Sequence, residues 1–407
     1  MNCRNCRTGL LNVVLDLGRA PPSNAYLSAE SLSRPEPSYP LRLLHCGICG
    51  LVQTEDFHRS EDLFVPDYAY LSSTSSSWLQ HARSYADAMC TRLALGPGDL
   101  VVELAANDGY LLQYFMPHGV PCLGVEPTAA AAALAEGKGL RILREFFGVA
   151  LSRRIVAEHG RARLVVANNV LAHVPDVHDF VGGIAQLLQP DGVCTVEFHH
   201  LQSLVAGGQF DTVYHEHYSY FSLEAAISLF AANGLQVVEV EQLPTHGGSL
   251  RVYAKHKSAS SPVDPSVKRV VDDECAAGLR DGARVAVLQA AAERARDGLR
   301  EFLSNAKRQG ALVAAYGAAA KGNTLLNFAG TTAADVAFVC DAAQTKQGRY
   351  LPGSHIPILS PKALVERKPE YVLLLPWNLR RELEGELAFV RGWGGRFVTA
   401  VPSIAIN

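Results

Sequence analysis

Between residues 99 and 239, apolar runs of strand length alternate with helix-compatible stretches, and this alternation restricts the fold more than any other feature of the chain. The runs lie at 100–104, 122–125, 164–167, 193–198 and 235–240. Continuously apolar strands separated by helices mark a parallel sheet covered on both faces. A second alternation begins at 311, with strands expected at 311–316, 336–340, 371–375 and 396–400, and reads as a smaller Rossmann-like unit. Residues 256–266 are polar and carry Pro262 and Pro265, as a linker does, and 267–309 read as a long helical stretch. Upstream, 78–95 reads as an amphipathic helix. The serine cluster 72–77 before it resembles a loop, because Ser competes for backbone hydrogen bonds. The first 70 residues, rich in Cys, Pro and Arg, read as a small strand-and-loop module.

The 407 residues are enough for two to three domains at about 150 residues each. The charge of 37 − 40 = −3 argues against a nucleic-acid binder, which is usually strongly basic. No apolar run approaches the ~20 residues that cross a bilayer, and the N-terminus lacks an apolar signal core. A cytoplasmic protein is expected, with no nucleic-acid or membrane partner, and a monomer is the working expectation.

In a reducing compartment the nine cysteines are thiols or metal ligands before they are disulfides. Cys3-Arg4-Asn5-Cys6 and Cys46-Gly47-Ile48-Cys49 form two C-x-x-C knuckles. Four thiolates at about 2.3 Å satisfy Zn²⁺ and leave no open position, so such a site is structural. The rival reading is a redox dithiol or two unpaired turns.

The first central strand runs into Ala105-Ala106-Asn107-Asp108-Gly109. Ligands of open α/β sheets bind beyond the strand ends, at such turns. No G-x-G-x-x-G cradle is present, and Glu103 and Asp108 repel a pyrophosphate but suit a cationic ligand such as S-adenosylmethionine. Glu126, before Pro127 at the end of the next strand, is placed to accept from both ribose hydroxyls of an adenosine. NAD is the lesser alternative, and an ordinary polar turn the bland one.

Asn168, Asn169 and His173 follow the fourth strand, and Glu197, His199 and His200 end the fifth. Tyr214-His215-Glu216-His217-Tyr218-Ser219-Tyr220 comes soon after. These imidazoles, carboxylates and phenols can move protons near neutral pH. On a strand, His215 and His217 would share a face, which leaves a second metal open, and plain packed histidines are the bland reading. His246-Gly247-Gly248 reads equally as an anion loop or a tight turn. Residues 316–324, with Lys321 and Asn323, follow a strand and open a helix, which favours an anion such as a diphosphate. Lys346, Arg349 and Tyr350 add cations and a turn nearby, either for a ligand or as a solvated face.

With these motifs in one order, the chain resembles the sugar C-methyltransferases of deoxysugar pathways, the tetronitrose C-3′-methyltransferase and its relatives, over nearly its whole length. The resemblance rests on the C-x-x-C pair, Leu15-Asp16-Leu17-Gly18, Tyr70-Leu71-Ser72-Ser73, residues 103–109, 168–174, 214–220, 246–250, 317–322 and 346–353, and Leu375-Pro376-Trp377-Asn378-Leu379. It implies an α/β protein with a class I methyltransferase domain at 72–258. A zinc-binding domain at 1–71 and a Rossmann-like nucleotide-sugar domain at 259–407 flank it. It implies S-adenosylmethionine as cofactor, held by Glu103, Ala105, Asn107, Asp108, Gly109, Glu126, Pro127, Asn168 and Asn169, and a structural zinc on Cys3, Cys6, Cys46 and Cys49. It further implies a dTDP-4-keto-deoxysugar substrate held by Tyr70, Ser72, Glu197, His200, His246, Lys321, Asn323, Lys346, Arg349 and Tyr350. His217 would be the base that forms an enolate, Tyr214 and His173 would serve the enolate oxygen or shuttle protons, and Glu216 would orient or hydrogen-bond. Ala105-Ala106 stands where relatives often have Gly-Ser.

Overall fold

The computed structural model describes residues 1–9, 11–57, 63 and 71–407, and builds three sheets. Near the N-terminus β1 (Leu11–Ala20), β2 (Tyr39–Cys46) and β3 (Val52–Gln53) pair antiparallel. α1 (Ser76–Leu93) follows, and the serine cluster is its start rather than a plain loop. Ser75 caps the helix by accepting from the Trp78 amide, where a Ser oxygen satisfies an orphan donor.

The central sheet contains β4 (Val101–Leu104), β5 (Cys122–Val125), β6 (Ile142–Leu143), β7 (Ala162–Asn168) and β8 (Leu188–His199). β9 (Ser219–Tyr220) leaves this region and joins β3, so the chain returns to complete the N-terminal sheet. β10 (Leu235–Leu243) and β11 (Ser249–His256) finish the central sheet in the order β10-β11-β8-β7-β4-β5-β6, with β11 antiparallel to both neighbours. β4 sits between β5 and β7, where the winding reverses and a crevice opens at the strand ends. This is the class I methyltransferase fold. Its helices include α2 (Ala129–Gly137), α3 (Val149–His159), α4 (Val177–Leu187), α5 (Leu201–Ala206) and α6 (Leu223–Ala232). No α-helix follows β4 directly; two short 3-10 turns, Leu112–Tyr114 and Met116–His118, take its place.

The expected long helix splits at 277–281 into α7 (Pro265–Ala276) and α8 (Gly282–Arg308). Val267 and Val270 of α7 pack into the central core with Leu223 and Val240. Leu288, Ala292 and Leu299 of α8 share one core with Leu15 and Leu43 of the N-terminal sheet and Leu326 beyond. Thus α8 ties the first sheet to the third. That third, Rossmann-like sheet holds β12 (Val313–Tyr316), β13 (Val339–Cys340), β14 (Ile358–Leu359), β15 (Tyr371–Leu374), β16 (Arg396–Thr399) and β17 (Ala405–Ile406), with α9 (Ala320–Ala329) after β12. Its order is β14-β13-β12-β15-β16-β17, with only β17 antiparallel. No helix among the described residues is long and apolar enough to cross a membrane.

Candidate functional site

The turn after β4 packs three left-handed residues into five positions: Ala105 (φ +57°), Asn107 (φ +49°) and Gly109 (φ +73°). A β-carbon on Gly109 would lie 2.3 Å from Leu140 Cδ1 and 3.1 Å from Ala135 Cβ, so only glycine lets α2 close on this turn. The turn is fastened from β5. Glu126 Oε2 accepts from the Asn107 amide at 2.9 Å, and its Oε1 accepts from the Thr128 amide at 2.8 Å. A cavity of about 310 Å³ opens beside it. Ser72, Ala105, Asn107, Glu126, Pro127, Asn168, Asn169 and His173 line it, with Trp78, Phe147 and Phe180 as apolar wall.

Three residues expected at the cofactor lie behind that wall. Glu103 is fully buried beside Tyr110 and Leu112, and burial raises its pKa well above the usual carboxylate range. Asp108 turns to Ser73, whose amide and hydroxyl it accepts. Gly109 supplies the close approach just described.

The second group of side chains meets at the carboxyl edge of β8. Residues 214–217 form a turn, not a strand, so His215 and His217 point apart. His215 Nε2 donates to Pro40 O at 3.2 Å, toward the N-terminal sheet. His217 Nδ1 donates to Thr212 O at 2.9 Å, which fixes its tautomer and leaves Nε2 to accept from Tyr214 Oη at 2.7 Å. The His173 ring lies 4.6 Å from that of His217 and 60° to it, and its Nδ1 donates to the Glu216 carbonyl at 2.7 Å. His199 stands 6.4 Å from His217, and its Nε2 donates to His246 O at 2.5 Å. Burial pushes these imidazoles down, His173 and His246 to about 4 and His199 and His217 well below their ordinary value. All four are therefore neutral near pH 7 and able to accept a proton.

Other expected residues fall elsewhere. The Glu216 carboxylate accepts from the Asn24 amide at 3.2 Å, so the Thr212 carbonyl, and not Glu216, orients His217. His200 turns away and donates to Glu274 Oε1 of α7 at 2.8 Å, a buried structural pair. Period-2 alternation along β8 puts its neighbour His199 on the face of Glu197, a signal that names the imidazole the motif reading passed over. Glu197 is fully buried and meets Arg251 Nη2 at 2.8 Å, His81 Nε2 at 3.0 Å and Thr245 Oγ1 at 2.9 Å. Burial alone would raise its pKa, but the His81 hydrogen bond and the Arg251 charge outweigh it and hold the carboxylate ionised. The His246 loop presents a carbonyl rather than a nest of amides to the cluster, as a turn does. Lys321 Nζ donates to that carbonyl at 3.3 Å and lies 5.1 Å over the Trp377 ring. Gly317 and Gly322 serve packing, since β-carbons there would meet Pro376 at 2.5 Å and Leu375 at 2.7 Å. Asn323 Nδ2 holds Ser23 O at 2.6 Å. Lys346 Nζ is spent on Ala318 O at 2.9 Å and Asp341 at 3.5 Å. Tyr350 bridges to Leu27 through its backbone, beside Arg349. Tyr70 lies outside the described residues.

Near the N-terminus, the sulfurs of Cys3, Cys6, Cys46 and Cys49 lie within 4.8 Å of one another, with Cys3–Cys49 and Cys6–Cys46 at 3.5 Å.

Comparison with known proteins joins these parts. Family models match in succession: a "Putative zinc binding domain" at 3–64, a methyltransferase domain at 78–240 and a C-methyltransferase C-terminal domain at 244–402. C-methyltransferase NovU of Streptomyces niveus is 35% identical over 401 residues, 98% of this chain and 95% of its own. The chain belongs to the NovU C-methyltransferase family. The ubiquinone biosynthesis O-methyltransferase of Rhodopseudomonas palustris matches over 119 residues at 27% identity, 27% of this chain and 46% of that protein. A solved S-adenosylmethionine-dependent methyltransferase from Clostridium acetobutylicum is 11% identical, with a TM-score of 0.35, and covers 44% of this chain and 92% of its own.

The residues of this C-methyltransferase fit both groups its family implies. The thiol spacing matches a zinc tetrahedron, whose sulfurs stand about 3.8 Å apart for Zn–S near 2.3 Å. The cavity beside the turn after β4 holds two buried polar atoms with no partner among the described residues, Asn168 Oδ1 and Asn169 Nδ2, beside the Glu126 carboxylate. They are the kind of groups a polar ligand satisfies.

Proposed function

We propose that this S-adenosylmethionine-dependent C-methyltransferase methylates the carbon beside the ketone of a nucleotide-linked, dTDP-type 4-keto-deoxysugar. One observation carries the reading: four neutral imidazoles and a phenol gather beside the cofactor cavity, and His173 both lines that cavity and sets its ring 4.6 Å from that of His217. S-adenosylmethionine supplies a methyl group already activated on sulfur, so what the chain must add is a carbon nucleophile. His217 is the base. The Thr212 carbonyl holds its Nδ1 proton, so Nε2 takes the proton from the carbon beside the ketone. Tyr214, which donates to Nε2 in the structure, re-aims its hydroxyl to the ketone oxygen as the sugar enters. A donor so placed stabilises the enolate by several kcal/mol in a dry site. His173 passes the proton on. Glu126, Asn107, Ala105, Pro127, Asn168 and Asn169 contact the cofactor, with Glu126 on the ribose. Residues 1–71, 72–258 and 259–407 act as zinc-binding, methyltransferase and nucleotide-sugar domains, and the first and third close over the substrate.

The test is proton NMR of a dTDP-4-keto-6-deoxysugar in D₂O with enzyme and S-adenosylhomocysteine. The reading expects enzyme-dependent loss of the signal beside the ketone, absent in His217→Ala, while the variant still binds S-adenosylhomocysteine. Full exchange by His217→Ala removes the base assignment.

A further inference from the structure

Lys321 sits where local rules disfavour it. It is the second residue of α9, at the positive end of a ten-residue helix, whereas cations are stabilised at the other end. Its neighbours Gly322, Asn323 and Thr324 are buried, yet Lys321 keeps partial exposure, so the chain extends from a packed helix into a recess. A residue that breaks a local rule without a packing gain marks a functional position.

The recess is the imidazole cluster. Lys321 Nζ shares the His246 carbonyl with His199 Nε2, and the His199 ring is 6.4 Å from His217. The Trp377 ring covers one side of the ammonium at 5.1 Å. Trp377 Nε1 in turn donates to Asp211 Oδ2 at 2.7 Å, and Asp211 precedes Thr212, whose carbonyl fixes the His217 tautomer. The approach is built for: a β-carbon on Gly247 would meet the Trp377 ring at 2.8 Å. Trp377 thus has a place in the site. Among the described residues, Lys321 makes one long hydrogen bond, to a carbonyl oxygen, and an ammonium has three donors to place. By contrast, Lys346, on the side of the N-terminal loop, is already spent on Ala318 and Asp341.

We propose that Lys321 is a catalytic residue of the methyl transfer, its ammonium donating to the ketone oxygen and holding the enolate's negative charge, rather than a ligand of the diphosphate. This rests on the enolate reading above. The proton leaves carbon for His217 Nε2, the C–H electron pair becomes the C=C bond, and the carbonyl π pair moves to the oxygen facing Lys321. The carbonyl then re-forms as the enolate carbon bonds the methyl carbon, and the C–S pair leaves on sulfur. A preorganised cation in a site closed by Trp377 acts where charge develops, which is the largest single contribution to many such steps. The third domain, which supplies both Lys321 and Trp377, then takes part in the chemistry as well as in holding the nucleotide.

The experiment is the rate of solvent deuterium exchange beside the ketone, with S-adenosylhomocysteine present, for the wild type, Lys321→Met and Lys321→Arg over a range of sugar nucleotide concentrations. Removing one such donor should slow exchange at saturating substrate about 100- to 1,000-fold, with little change in the half-saturating concentration. Lys321→Arg, which keeps the charge, should recover part of the loss. S-adenosylhomocysteine affinity close to the wild type in both variants reports an intact central domain. A raised half-saturating concentration with a wild-type rate at saturation overturns the assignment and makes Lys321 a binding cation. No exchange by the wild type removes the enolate reading itself, and this assignment with it.

Discussion

Replacing Glu197 by Gln tests the electrostatic account of the site's foundation. The carboxylate has no exposure, and Arg251, its nearest cation at 2.8 Å, is 5% exposed. Gln keeps the shape and one acceptor but removes the charge, so Arg251 loses a buried counter-ion. Breaking such a pair from one side costs about 3–5 kcal/mol. Arg251 keeps Glu241 at 3.0 Å, whose side chain is 40% exposed, so the lower end applies, about 3 kcal/mol. At about 1.4 kcal/mol per decade this is roughly a 150-fold faster amide exchange in β8 and β11, the strands that carry the pair. Hydrogen-exchange mass spectrometry of peptides covering 188–199 and 249–256 reads it directly. Glu241→Gln is the control, expected within about 1 kcal/mol because that carboxylate faces solvent. Equal effects of the two substitutions, or less than about a fivefold change for Glu197→Gln, refute the reasoning.

Gly109→Ala should destabilise by about 2–5 kcal/mol, from left-handed strain and the collision with Leu140, and weaken S-adenosylhomocysteine binding by moving Asn107; wild-type affinity by calorimetry rejects that view of the turn. Chelating zinc from the four-cysteine site should loosen the turn at 214–217, because Thr54 Oγ1 donates to His217 O at 3.0 Å and Arg4 Nη1 to Tyr218 O at 2.5 Å from the cysteine module. Faster amide exchange in 213–221 is expected, and unchanged exchange after metal loss contradicts the coupling. His246 titrates near 4 when folded and near 6.5 when unfolded, so the unfolded chain binds the extra proton between those values. Stability therefore falls as pH drops below about 6.5, and His246→Asn should flatten the acid side of the urea-midpoint profile by up to about 1.4 kcal/mol per pH unit.

The parallel sheets were legible because buried parallel strands are apolar over most of their length, as in Leu164–Ala167 of β7 and Cys122–Val125. The knuckles were legible because ligand spacing is a local constraint. Less legible were features set by distant parts of the chain. β9 pairs with β3 through contacts that no local period encodes, and that pairing makes residues 214–217 a turn. Tight packing of the 3-10 turns after β4 replaces the helix that the strand-turn pattern predicts. His199 could have been chosen over His200 by alternation alone. The partners of Glu216, Asn323 and Lys346 could not, since each is set by an element more than a hundred residues away or by a turn of the third domain.

The most direct measurement is carbon NMR of the product formed from a dTDP-4-keto-6-deoxysugar and S-adenosylmethionine labelled with ¹³C in its methyl group. The account predicts a methyl carbon bonded to the ring carbon beside the ketone, with loss of the hydrogen there. A methyl bonded to oxygen or nitrogen, or no transfer while both ligands bind, contradicts it.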